Sequence, residues 1–166
     1  MQDNTDAKVV KVFMNILKQN NKAWPTRWAV VSLLLFLNCS PDQSDDAIPY
    51  QPFADIVMNL NLPENTKLRA TGGFRYIDGG IRGIILYNQG SNVYYAYERN
   101  CSFHPNDACA TVNVDVSTLF MIDPCCNSQF NFSNGNPQGG AASRPLRKYR
   151  TTVLANTLTI TDEIVE

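Results

Sequence analysis

The sequence predicts an antiparallel all-β domain of about ten short strands behind an N-terminal apolar helix of the signal-peptide kind. Three observations carry this. Beyond residue 53 no segment sustains a helical period of apolar residues. The apolar and β-branched residues instead fall in short runs, some in strict alternation with polar ones. Glycine pairs and asparagines break these runs at the places where turns belong, as at Gly72-Gly73 and Gly79-Gly80. With 166 residues the chain can build one domain with a real core.

The first elements concern export. Residues 1–27 carry Lys8, Lys11, Lys18, Lys22 and Arg27 against Asp3 and Asp6, a net of +3. Residues 39–166 hold the other nine Lys and Arg and the other thirteen Asp and Glu, a net of −4, and the whole chain is −1. A basic head on an acidic body fits a targeting segment, and the near-neutral total shows no nucleic-acid footprint. "WAVVSLLLFL", Trp28 to Leu37, is uncharged and ten residues long. That is short of the roughly 20 residues a spanning helix needs, but it suits the apolar region of a signal peptide. The run ends in "LFLNC", which resembles a bacterial lipobox, with Asn38 in place of the usual small residue. Residues 1–38 are therefore expected to be a lipoprotein signal peptide. Met14 opens an adequate basic head of its own, so residues 1–13 need not belong to the natural product. Cys39 is the expected lipidation site, and several acyl chains there make a lasting membrane anchor. The implied location is the periplasmic face or outer-membrane surface of a Gram-negative bacterium. An ordinary signal peptide, with Cys39 left in a linker, is the alternative.

Residues 39–52 are polar, with Pro41, Pro49 and Pro52, and read as a tether. The acidic stretch Asp42 to Asp46 resembles the tethers of some surface-exposed lipoproteins. The β domain is expected over 53–166. Its strands are read in "DIVMNLNL", "KLRATGGFRYI", "RGIILYN", "VYYAYE", "TVNVDV", "LFMI", "QFNF" and the two halves of "YRTTVLANTLTITD". The glycine of "GSN" marks a hairpin turn, and Ala155-Asn156 another, with the asparagine suited to a left-handed backbone. "DGGIRG" has glycines but neither a phosphate-loop lysine nor a following helix, so it reads as a turn. "RPLRKYR" reads as a solvated basic edge. Phe130, Phe132 and Tyr149 read as packing residues.

Export places the remaining cysteines in an oxidising compartment. Cys101, Cys109, Cys125 and Cys126 are an even number, enough for two disulfides in any of three connectivities. They lie in two loops, "CSFHPNDAC" and "DPCCNSQF". A metal site, a double disulfide and a redox-exchanging pair all remain open from the residues alone. His104 has no nucleophile at recognisable spacing, and no catalytic residue is assigned.

The second loop and the segment after it, "PCCNSQFNFSNGNPQGGAASRPLRKY", resemble the second cluster loop of Rieske iron–sulfur proteins. That family reads C-P-C-H-G-S-x-F, a glycine turn, G-P-A and P-L-x-x-Y. The matching residues are Pro124, Cys125, Ser128, Phe130, Gly135, Gly140, Ala141, Pro145, Leu146 and Tyr149. The first loop resembles the family's C-x-H-x-x-C, and the likeness covers roughly residues 70–161. It implies a Rieske-like antiparallel β-sandwich of small stacked sheets. A Rieske cluster takes two cysteines and two histidines, and this chain has one histidine. Along the motif the ligand cysteine of the second loop falls on Asp123 and its ligand histidine on Cys126. In the first loop Cys101 keeps its type, and the histidine position falls on Phe103. The resemblance therefore implies a domain without the [2Fe–2S] cluster. Cys109 and Cys125 match the pair that joins the loops in many members, and Cys101 and Cys126 match positions that faced one cluster. Two disulfides, Cys109–Cys125 and Cys101–Cys126, are the resulting expectation. No cofactor is expected, and the role implied is structural or binding, toward a protein partner or ligand the sequence does not identify. The alternative is a redox or electron-transfer protein with an altered 2Fe–2S cluster or zinc. Cys101, His104, Asp123 and Cys126 would hold it, or a Cys₃His set including Cys109.

Overall fold

A computed structural model describes residues 47–165. The expected signal segment, Cys39 and residues 39–46 of the tether lie outside the described residues.

Among the described residues ten strands form two antiparallel sheets. They are β1 (Ile56–Asn59), β2 (Phe74–Ile77), β3 (Ile84–Gly90), β4 (Val93–Glu98), β5 (Asn113–Val114), β6 (Met121–Asp123), β7 (Ser128–Phe130), β8 (Pro137–Gly139), β9 (Lys148–Leu154) and β10 (Thr157–Val165). The larger sheet has the order β1-β10-β9-β4-β3-β2 and the smaller β5-β6-β7-β8. The smaller sheet is thus one continuous insertion between β4 and β9, which pair with each other through Ala96↔Tyr149 and Tyr97↔Lys148. The expected antiparallel all-β class and strand number hold. One element differs: Pro63–Arg69 is a 3-10 helix, with the proline in its first turn, where a missing N–H costs nothing.

The shared wall is the β3–β4 hairpin, and its sequence says why. In "IILY" and "VYYAY" successive side chains face opposite ways. Ile84, Leu86, Tyr94 and Ala96 enter one core with Leu68, Tyr149, Leu158 and Ile160. Ile85 and Tyr97 enter the other, with Val112, Met121, Phe130, Phe132 and Leu146. A strand covered on both faces has no use for polar alternation, so the run is continuously apolar. Phe130, Phe132 and Tyr149 are buried, as the sequence suggested.

Two hairpins refine the turn readings. The residues linking β3 and β4 are Ser91 and Asn92, both with positive φ, while Gly90 takes a bulge. Between β9 and β10 the left-handed residue is Ala155, at φ 55°, and Asn156 is not among the positive-φ residues. The basic stretch also differs from a solvated edge. Arg144 donates to Ser102 O, and Arg147 donates to Ile48 O and Pro49 O. Lys148 lies over the Tyr95 ring, and Arg150 pairs with Glu163. Each cation stitches two parts of the domain together.

Candidate functional site

The site is built where β4 leaves the large sheet and β6 turns into β7. The first loop, 101–109, is closed at its base by the Asn100↔Thr111 bridge and by Cys101 N–H donating to Ala110 O at 3.1 Å. Arg82, from the turn before β3, reaches beneath it. Its guanidinium donates to Asn100 Oδ1 at 2.6 Å, to Ala108 O at 2.7 Å and to Asp107 O. Ser102 Oγ donates to Arg144 O at 2.6 Å, answering the Arg144 bond to Ser102 O. These partners were not read from the sequence. Arginine serves here because its planar fork satisfies several carbonyls at once.

The second loop starts with an Asx turn. Asp123 Oδ1 accepts the Cys125 N–H at 2.9 Å, two residues on. Asn127, with φ 57°, completes the reversal in the left-handed region that asparagine tolerates. The glycine-rich segment then returns beside it. A Cβ on Gly140 would stand 2.3 Å from Asn127 O, so only glycine allows this approach. The approach lets Ala142 N–H donate to Ser128 Oγ at 2.9 Å.

The adjacent cysteines point opposite ways. Cys125 is exposed and bonded to exposed Cys109, with Cα atoms 5.6 Å apart, so the two loops are joined on the outside. Cys126 turns inward against Cys101, which is fully buried. The second expected disulfide is not formed in the structure: Cys101 and Cys126 are thiols with sulfurs 3.8 Å apart. A disulfide needs about 2.05 Å, and the packed loops do not bring the sulfurs that close.

Asp123 completes this inner group. It is fully buried, and its Oδ2 lies 3.3 Å from Cys126 Sγ, which is also 3.0 Å from Ser128 Oγ. Cys126 Sγ is the donor toward both oxygens, and its single proton serves one of them at a time. The ligand atoms of Cys101, Asp123 and Cys126 all lie within 4.8 Å of one another. Burial pushes the Cys101 thiol well above its usual pKa. The Phe103 N–H bonded to its sulfur opposes that rise, and the neighbouring Asp123 carboxyl adds to it. Among the described residues no basic side chain pairs with Asp123 or with either sulfur.

His104, the fourth residue of the alternative metal set, is not part of this group. It is exposed, its backbone has φ 46°, and its ring meets Phe103 edge-on at 4.1 Å. Cys109, offered for a Cys₃His set, is held in the outer disulfide.

No family model matches the chain, and no curated protein matches it. Among solved structures it is similar to a chain of the complex of reduced oxygenase and oxidized ferredoxin in carbazole 1,9a-dioxygenase. The identity is 17%, the TM-score 0.43, and the match covers 58% of this chain and 86% of that one.

Proposed function

We propose that the chain is an exported, lipid-anchored, Rieske-like domain that carries no Rieske [2Fe–2S] cluster and serves a structural or binding role at a membrane surface. The observation that carries this reading is the histidine count. The cluster's second iron takes two imidazoles. The chain has one, His104, and it is exposed outside the buried group of Cys101, Asp123 and Cys126. The residues present do not fit that cluster.

The scaffold half of the reading is supported by where the motif residues fall. Phe130, Leu146 and Tyr149 are buried, Ser128 is buried beneath the second loop, and Gly140 makes the close return. The disulfide between the loops supports it as well. The anchor half rests on the basic head, the apolar run and Cys39. Loops tied together on their outer side suit a rigid surface for recognition of a partner.

The test is to purify the membrane-extracted protein and measure iron, acid-labile sulfide and visible absorption. No sulfide and no cluster spectrum are expected. Stoichiometric iron and sulfide would overturn the reading. Cys39→Ala should leave the protein unlabelled by fatty acid and free of the membrane fraction. If the variant stays membrane-bound and labelled, the anchor is elsewhere.

A further inference from the structure

The inner group of Cys101, Asp123 and Cys126 has a geometry that neither a disulfide nor a plain core explains. Two thiolates about 2.3 Å from a zinc-sized ion lie about 3.8 Å apart at the tetrahedral angle. The two sulfurs stand at 3.8 Å. A carboxylate oxygen about 2.0 Å from the same ion would lie about 3.5 Å from each thiolate. Asp123 Oδ2 is 3.3 Å from Cys126 Sγ. The opposed directions of the adjacent cysteines remove the usual objection to such a pair, because only Cys126 faces inward while Cys125 is held by Cys109.

Charge points the same way. Three groups that can each become anionic share a buried space without a basic partner among the described residues. A divalent cation would reduce three negative charges to one.

We propose that Cys101 Sγ, Cys126 Sγ and an Asp123 carboxylate oxygen form a mononuclear site for one thiophilic divalent cation of the zinc type. Two thiolates disfavour magnesium and calcium and favour zinc or another soft metal. Binding exchanges the two thiol protons for the ion and releases them to solvent. Three protein ligands leave one position for water or a small ligand donor. Cys126 is only half-buried, which gives the ion a way in. The site differs from a Rieske centre in nuclearity and ligand set, and it rests on the reading that these loops hold no two-histidine cluster.

The experiment uses the full chain with its outer disulfide intact. Free thiols in the inner pair are counted first, and the protein is then titrated with cobalt(II). One cobalt per chain is expected, with thiolate-to-cobalt charge transfer in the near ultraviolet and the intense visible bands of a tetrahedral site. Equimolar zinc should displace both. Cys126→Ser and Asp123→Asn should each weaken binding by at least about ten-fold, the loss that even an outer-shell partner's removal brings. Cys126→Ala serves if the serine variant loses its near-ultraviolet circular dichroism. His104→Ala should bind as wild type. The proposal is overturned if free thiols are present and no cobalt spectrum appears. Binding that survives Cys126 replacement, or depends on His104, also overturns it. So does exported protein whose intact mass shows a Cys101–Cys126 disulfide. None of these outcomes touches the absence of the Rieske cluster, which fails only if acid-labile sulfide is found.

Discussion

Among the described residues two carboxylates are fully buried, Glu98 at the end of β4 and Asp123 at the end of β6. They are housed very differently. Glu98 Oε2 accepts the Ile81 N–H at 2.9 Å and the Tyr149 hydroxyl at 2.7 Å. Its Oε1 accepts the Arg82 N–H at 3.1 Å and the Asn100 N–H at 3.0 Å. A Cβ on Gly80 would come within 2.0 Å of Oε2, so the "DGGIRG" turn is shaped around this oxygen. Asp123 has one backbone N–H, and its other neighbours are thiols, which are weak donors. The first carboxylate is saturated by fixed dipoles and has nothing left to offer. The second keeps lone pairs facing two sulfurs. One belongs to the scaffold, and the other is chemically available.

The comparison can be broken by substitution, and the largest effect falls on the scaffold side. Glu98→Ala strands three backbone N–H groups at about 1–3 kcal/mol each, so stability should drop by at least about 3 kcal/mol in urea denaturation. A loss under about 1 kcal/mol would mean that water replaces the carboxylate and that the cradle is not structural. Replacing Cys109 and Cys125 together by serine comes next. Their separation of 16 residues corresponds to about 3 kcal/mol of unfolded-chain entropy, less any native strain. An unchanged denaturation midpoint would count against the outer bond as a staple.

Asp123→Asn should cost no more than about 1 kcal/mol, because the amide oxygen can still accept the Cys125 N–H. The same variant should lose the cobalt signal. If it unfolds the domain as Glu98→Ala does, the two carboxylates are equivalent and the contrast collapses. The smallest effect is a gain. Ala155 is exposed at φ 55°, where an L side chain costs about 1–2 kcal/mol, so Ala155→Gly should stabilise by up to about 1 kcal/mol. A thermal midpoint that does not rise would show the turn to be relaxed.

Much of this contrast was visible in the chain beforehand, though unequally. In "VYYAYE" a period of two places Glu98 in phase with Tyr94 and Ala96, both core residues, so a buried acid could have been anticipated. Three of its four donors could not, because they come from a turn 16 and 17 residues earlier and from Tyr149 on another strand; only Asn100 is local. Asp123 and Cys126 stood out through their places in the loop motif, and so did the outer disulfide. The inner pair was expected as a second disulfide, and the structure holds it as thiols. Motif position says which residues face one another; it says nothing of how far the loops close. Arg82 and Arg144 were missed because a surface arginine and an arginine capping loop carbonyls look the same in sequence.

Alternation and turn residues alone point to the strand class, the single histidine to a site without two imidazoles, and the resemblance of the two loops to a known motif to the pairing of Cys109 with Cys125. Long-range packing makes the adjacent cysteines divide, Cys125 outward and Cys126 inward, and brings Asp123 to Cys101 across 22 residues of chain. That outcome depends on two loops from different strand pairs being held at one separation. It is set by the local Asx turn in one loop together with two contacts from outside the loops, Arg82 beneath the other loop and the close approach of Gly140 to Asn127.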